Sequence, residues 1–174
     1  MSNNYSVVGI KKVGDSYTQP PLANYRNQTI VSKNQAETWL LRDKYKGQES
    51  SAFLADCQRL SGGVPLGYVI GWVPFLNTKI YLDSKPLIPR SETEHWTEQA
   101  INSIWAKEND SLSVLDLCAG SGCIGVAVLK AAPTTMVDFV EIDQKHRQTI
   151  RKNIEINAGP AANCHLIQGD LFTN

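Results

Sequence analysis

An α/β fold built on a parallel sheet is what this sequence predicts, and three observations carry it. From residue 113 onward, short apolar runs alternate with longer segments of helical period, in the order strand, helix, strand, helix, strand. A glycine-rich loop, Gly120-Ser121-Gly122-Cys123-Ile124-Gly125, stands where the first of those strands passes into the first helix. The 174 residues, 42% apolar and 20% charged, suffice for one ordinary domain with a small appendage and are too apolar for a disordered chain. Parallel neighbours need crossover helices, so the order calls for a parallel sheet with right-handed connections.

Taken in order, residues 1–34 are rich in Asn, Gln, Ser and Tyr and carry four basic residues (Lys11, Lys12, Arg26, Lys33) against one acid, Asp15. They are expected to form a flexible arm. Residues 35–66 form a short helical segment, with Ala36, Trp39, Leu40 and Asp43 on one side of a first helix that Gly47 stops. Phe53, Leu54, Cys57 and Leu60 mark a second helix, ended by Gly62-Gly63. Residues 67–90 are a β-hairpin and connector: Tyr68 to Phe75 and Lys79 to Leu82 as strands around Asn77-Thr78, Pro74 at an edge, then the extended Pro86-Leu87-Ile88-Pro89. Residues 91–174 open with Ser91 and Glu94 at the spacing of a capping box, on a helix whose apolar side is Trp96, Ala100, Ile101, Ile104 and Trp105. Asn109-Asp110-Ser111 ends it. A buried strand Ser113–Leu117, a helix over 122–131, a strand Met136–Ile142, a helix Gln144–Asn157 stopped by Ala158-Gly159-Pro160, and a strand Cys164–Gln168 complete the series.

The sum of charge says little about partners. Seventeen basic residues balance seventeen acidic ones, so no overall field draws the chain to nucleic acid or to an anionic membrane. No apolar run approaches the roughly 18 residues needed to span a bilayer, and the N-terminus lacks a signal-peptide core. Cys57, Cys118, Cys123 and Cys164 form no CxxC pair, so no metal site or disulfide framework is expected and a reducing cytoplasm is the expected compartment.

The chemistry concentrates at the glycine loop. Gly120, Gly122 and Gly125 spell GxGxxG between strand and helix, and Glu141 and Asp143 stand at the end of the next strand. Glycines let the backbone approach a nucleoside, and an acid at that place accepts hydrogen bonds from ribose hydroxyls. Which nucleoside is a matter of charge. A pyrophosphate is held by bare N–H groups at a helix start, with no carboxylate close by. Here Asp116 closes the strand and faces the loop. It repels phosphates and attracts the sulfonium and ammonium of S-adenosylmethionine (SAM), so SAM is preferred to a dinucleotide.

Val114-Leu115-Asp116-Leu117-Cys118-Ala119-Gly120-Ser121-Gly122-Cys123-Ile124 resembles the cofactor loop of class I SAM-dependent methyltransferases. Gly67-Tyr68-Val69-Ile70-Gly71, then Phe75, then Leu87-Ile88-Pro89-Arg90-Ser91-Glu92-Thr93-Glu94, is similar to the HemK/PrmC family of release factor glutamine methyltransferases, and the resemblance covers about residues 58–174. It implies a Rossmann-like α/β domain, SAM as cofactor, and methyl transfer to the side-chain amide nitrogen of a glutamine in a Gly-Gly-Gln loop of a peptide chain release factor. It implies that Ala119, Gly120, Ser121 and Gly122 line the methionine part of SAM with Asp116 beneath, that Glu141 holds the ribose, and that Asp170 and Leu171 edge the adenine. Phe75, Arg90, Glu92 and Thr93 would cover the pocket. The family grips its glutamine with Asn-Pro-Pro-Tyr after the next strand; Asn174 is not followed by Pro-Pro-Tyr. The chain is therefore expected to be the N-terminal part of a larger, incomplete-sheet fold without the acceptor segment, and no catalytic residue is assigned. The other readings are a non-catalytic SAM-binding fragment, a nucleic-acid N-methyltransferase of the same fold, and an NAD-dependent oxidoreductase, which Asp116 disfavours.

Several residues invite a functional role that their pattern does not support. His95, His146 and His165 lack ligand spacing and are expected to be structural. Cys118 and Cys123 flank the loop as small packing residues, Trp96 and Trp105 read as core, and Lys145, Arg147, Arg151 and Lys152 make a basic, solvated helix face.

Overall fold

The computed structural model describes residues 33–105 and 112–171. The expected arm before Lys33, the helix end at Asn109-Asp110-Ser111, the Trp105 side chain and residues 172–174 lie outside the described residues.

Helices α1 (Lys33–Asp43), α2 (Ser51–Ser61) and α3 (Leu66–Ile70) close around Leu40, Phe53, Val69 and Ile70. Ser50 caps α2, its hydroxyl accepting from the Phe53 amide at 3.2 Å. Two helices this short bury too little to hold themselves; the third supplies the missing face. That third helix corrects the strand expected from Tyr68. The Pro65 carbonyl accepts from the Tyr68 and Val69 amides, and Gly71, at φ 95°, stops the turn. Five residues between a proline and a glycine are too few to separate helical from strand period. Leu54, expected inward, is exposed, and α2 instead buries Asp56.

The strands β1 (Trp72–Phe75) and β2 (Thr78–Tyr81) pair antiparallel and send Val73, Phe75 and Ile80 into the main core. After the connector comes α4 (Ser91–Trp105), followed by β3 (Ser113–Leu117), α5 (Cys123–Ala131), β4 (Met136–Val140), α6 (Gln144–Asn157) and β5 (Cys164–Ile167). The last three strands form a parallel sheet in sequence order, with Leu117, Val140 and Ile167 side by side. One face of it packs Val137 and Phe139 against Val126 to Leu129 of α5 and Ile150 and Ile154 of α6. The other face carries Leu115 and Leu117 at 60% and 45% exposure, so β3 is buried on one side only, not on both as its apolar run suggests.

In α4 the buried positions are Thr97 and Ile101, and Trp96 is 74% exposed, which corrects its assignment to the core. The cause is Glu94. Its carboxylate accepts from the Leu76 amide in the hairpin turn at 2.6 Å instead of closing a capping box with Ser91, whose hydroxyl donates to Glu92. That bond fixes the helix's rotation against the hairpin. Among the described residues no helix is long and apolar enough to cross a membrane.

The outer edge of β2 is completed by side chains of α6. Asn157 accepts from the Lys79 amide at 2.9 Å and donates to the Lys79 carbonyl at 3.0 Å; Asn153 does the same for Tyr81 at 2.8 and 3.1 Å. The match is geometric: two strand residues advance about 6.7 Å and four helical residues about 6 Å. Thr149, one turn further along, accepts from the Ser84 amide at 3.2 Å. An open strand edge is thus paired without a third strand.

Candidate functional site

Because β3, β4 and β5 are parallel and in register, the segments that follow them lie along one edge of the sheet. The first is the glycine loop. Cys118 (φ 57°), Gly120 (φ 58°) and Gly122 (φ 72°) turn the chain back on itself, and the Gly122 amide donates to the Ala119 carbonyl at 2.7 Å. At Gly122 the demand is also steric, since an added Cβ would lie 3.0 Å from Ile150; at Gly125 it would lie 2.3 Å from the Phe139 ring. The third glycine of the pattern is therefore a helix-on-sheet contact.

Two carboxylates converge on this loop from different strands. Asp116 is buried at the end of β3 and accepts from the Gly125 amide at 2.9 Å. Burial drives its carboxyl up to about 6; the Gly125 hydrogen bond opposes the rise and the neighbouring Glu141 charge adds to it. Glu141, also buried, accepts from the Gly120 amide at 2.8 Å and from the Asp143 amide at 3.0 Å. Asp143 caps α6 by accepting from the Lys145 amide at 2.6 Å, which, with His146, holds its own carboxyl low. Ser121 is buried, with its carbonyl taking a hydrogen bond from Asn153 at 2.9 Å. Ala119 is buried and Gly120 half-buried.

The remaining expected residues are placed less uniformly. Asp170 and Leu171 are exposed after β5, on the same edge as Glu141. Phe75 lies in the main core. Arg90 and Glu92 are exposed, and the Thr93 carbonyl accepts from Thr97 in α4. The connector meets the glycine loop at Pro86, 3.9 Å from where a Gly120 Cβ would sit, and the Tyr68 hydroxyl holds the Pro86 carbonyl at 2.8 Å. Cys123 is buried and its thiol is pushed up to about 12 by that burial, so it stays neutral and packs. Cys118 is exposed, contrary to the packing role expected of it. The three histidines sit apart: His95 is exposed, His146 meets the Ser84 hydroxyl and His165 meets Asp138, each at 2.8 Å.

Pro86 and Asn153 were not legible as site residues. For Asn153 a signal existed. Two asparagines four apart, at positions 153 and 157 beside the apolar Ile150 and Ile154, put amides where a solvated face does not need them.

These features suit SAM. Positive-φ glycines open the loop, and the nearby charges are carboxylates, which favour a cationic ligand. Residues 100–174 match the methyltransferase small domain family. The fold and its loop define a class I methyltransferase domain of the Rossmann-like α/β type. The release factor glutamine methyltransferase of Lactococcus lactis subsp. lactis is 33% identical over 133 residues, which is 76% of this chain and 47% of that protein. The protein of the same name from Rhodopirellula baltica is 35% identical over 133 residues, 75% of this chain and 45% of the relative. Within its class the chain is a homologue of the release factor glutamine methyltransferases, the HemK/PrmC family. It spans about half the length of the curated relatives it matches. The solved DszA carbon methyltransferase superposes over 88% of this chain and 38% of its own, at 15% identity and a TM-score of 0.41.

Proposed function

We propose that this chain supplies the SAM-binding part of a methyltransferase that methylates the side-chain amide nitrogen of a glutamine in a peptide chain release factor. The observation that carries the reading is the convergence of Asp116 and Glu141 on one glycine loop. Asp116 disfavours a pyrophosphate there and favours a sulfonium and an ammonium, while Glu141 suits the ribose of a nucleoside. SAM, when bound, supplies a methyl group on a positively charged sulfur. In this reading the loop 119–122 holds the methionine part, Asp116 offsets its positive charge, Glu141 accepts from the ribose, and Asp170 and Leu171 border the adenine. Pro86 is added to Phe75, Arg90, Glu92 and Thr93 as the part of the cover that reaches the loop. An amide nitrogen is a poor nucleophile because its lone pair is delocalised. The protein's contribution is then orientation and exclusion of water more than proton abstraction. The names of the relatives support the release factor as acceptor.

Calorimetric titration with S-adenosylhomocysteine and, separately, with NAD tests the cofactor. Saturable heat is expected with the first only; binding of NAD alone would overturn the reading. With labelled SAM, the full-length protein should label a release factor and leave unlabelled a variant lacking the glutamine of its Gly-Gly-Gln loop.

A further inference from the structure

Asn153 does something that its neighbour Asn157 does not. Both side chains pair with the backbone of β2 in the same two-bond manner. The second N–H of Asn157 returns to its own helix, to the Asn153 carbonyl at 2.8 Å. The second N–H of Asn153 leaves the helix and reaches the Ser121 carbonyl at 2.9 Å. One fully buried amide therefore ties three segments together: the hairpin, α6 and the glycine loop.

We infer that Asn153 is a positioning residue for the cofactor loop, setting the orientation of the Ser121–Gly122 peptide. That peptide is gripped at both ends, its oxygen by Asn153 and its N–H by the Ala119 carbonyl at 2.7 Å. It joins Ser121 to Gly122, and Gly122 stands at positive φ, so on that side the loop's own conformational preference is weak. A glycine on one side, which accepts many backbone angles, leaves the peptide freer to flip; a donor fixed on a buried helix face removes that freedom. The donor is itself fixed, because its amide plane is set by both bonds to Tyr81. The hairpin and loop are thereby held in one register, and Pro86 of the connector stays against Gly120. In its consequence for SAM affinity the inference rests on the reading above; in its consequence for the loop it does not.

Asn153→Ala and Asn157→Ala form the test, since each removes a two-bond grip on β2 and only the first frees Ser121. Both variants should melt at similar, lowered temperatures. Hydrogen exchange at the Gly122 amide of the ligand-free chain should accelerate about tenfold or more in Asn153→Ala and stay within about twofold in Asn157→Ala, the size expected for one buried hydrogen bond. Affinity for S-adenosylhomocysteine should follow the same split. Asn153→Ser, a milder change at the same place, serves where the alanine variant does not fold, with the same expected split. Equal Gly122 exchange in the two positions' variants would overturn the inference. A split in exchange, with no S-adenosylhomocysteine binding by the parent chain, would uphold it and sink the proposed function instead.

Discussion

Asp116 is under opposing demands that a stability measurement can separate from a binding one. Burial pushes its carboxyl up to about 6 in the folded chain, well above the roughly 3.9 of an unfolded aspartate. An acid with a raised folded value costs nothing below the unfolded value. The penalty grows as pH rises between the two and is complete above the folded one, at about 3 kcal/mol here. Asparagine keeps an oxygen for the Gly125 amide and carries no charge. Asp116→Asn should therefore stabilise the chain by about 1–3 kcal/mol at pH 7.5, with the gain disappearing towards pH 4. It should also weaken binding of SAM at least about tenfold, since the charge that attracts the ligand is gone. Thermal melts at both pH values, with calorimetry at the higher one, check this. A pH-independent gain, or unchanged affinity, would show that the carboxylate is there for packing.

At the level of elements, the N-terminal helices and the sheet have separate cores, so damage to one should be felt locally. Asp56 is the knot of the helical unit, accepting from Lys44 at 2.6 Å and from Tyr45 and Arg59 at 2.7 Å. Burial on its own raises this carboxyl, but the hydrogen bonds from Lys44, Tyr45 and Arg59 together outweigh it and hold it low. A lowered acid contributes stability that is present above about pH 4, the unfolded value, and lost as pH falls through the folded one. Lys44 and Arg59 are partly exposed, so the contribution is discounted by solvent to about 1–2 kcal/mol. Asp56→Asn should lose that much at pH 7, with amide protection falling in α1–α3 and unchanged in β3–β5. Uniform loss across the chain would mean that the two cores unfold as one. The same division explains what the sequence made legible. The end of α6 was readable because Ala158-Gly159-Pro160 follows it, whereas the Asp143 cap at its start was not recognised as one; β3 was readable because an apolar run stops at a glycine loop. The helix at Leu66–Ile70 was not, having too few residues to show a period. Trp96 was misplaced because one carboxylate, Glu94, bonds a residue 18 positions away, and no local pattern carries that information.

For the whole molecule, the telling feature is the sheet face opposite α5 and α6. Leu115, Leu117 and Ile167 stand there at 60%, 45% and 41% exposure, beside the Asp138–His165 pair. Leu117 of β3 and Ile167 of β5 flank Val140 of β4 in one apolar row, Leu115 stands next to it on β3, and β3 adds an outer edge unpaired among the described strands. The sequence showed the apolar residues but not their side, because a strand covered on one face and a strand covered on both can have the same composition. A leucine with about half or more of its surface in water already has much of its solvent contact in the folded chain, so truncating it removes little favourable burial. Leu115→Ser combined with Leu117→Ser should therefore shift unfolding free energy by less than about 1 kcal/mol. The chain is expected to self-associate through this face, and light scattering should show less association in the same variant; S-adenosylhomocysteine affinity should hold, because both side chains point away from the face that carries Asp116. A large loss of stability would place these leucines in contacts that the chain makes with itself.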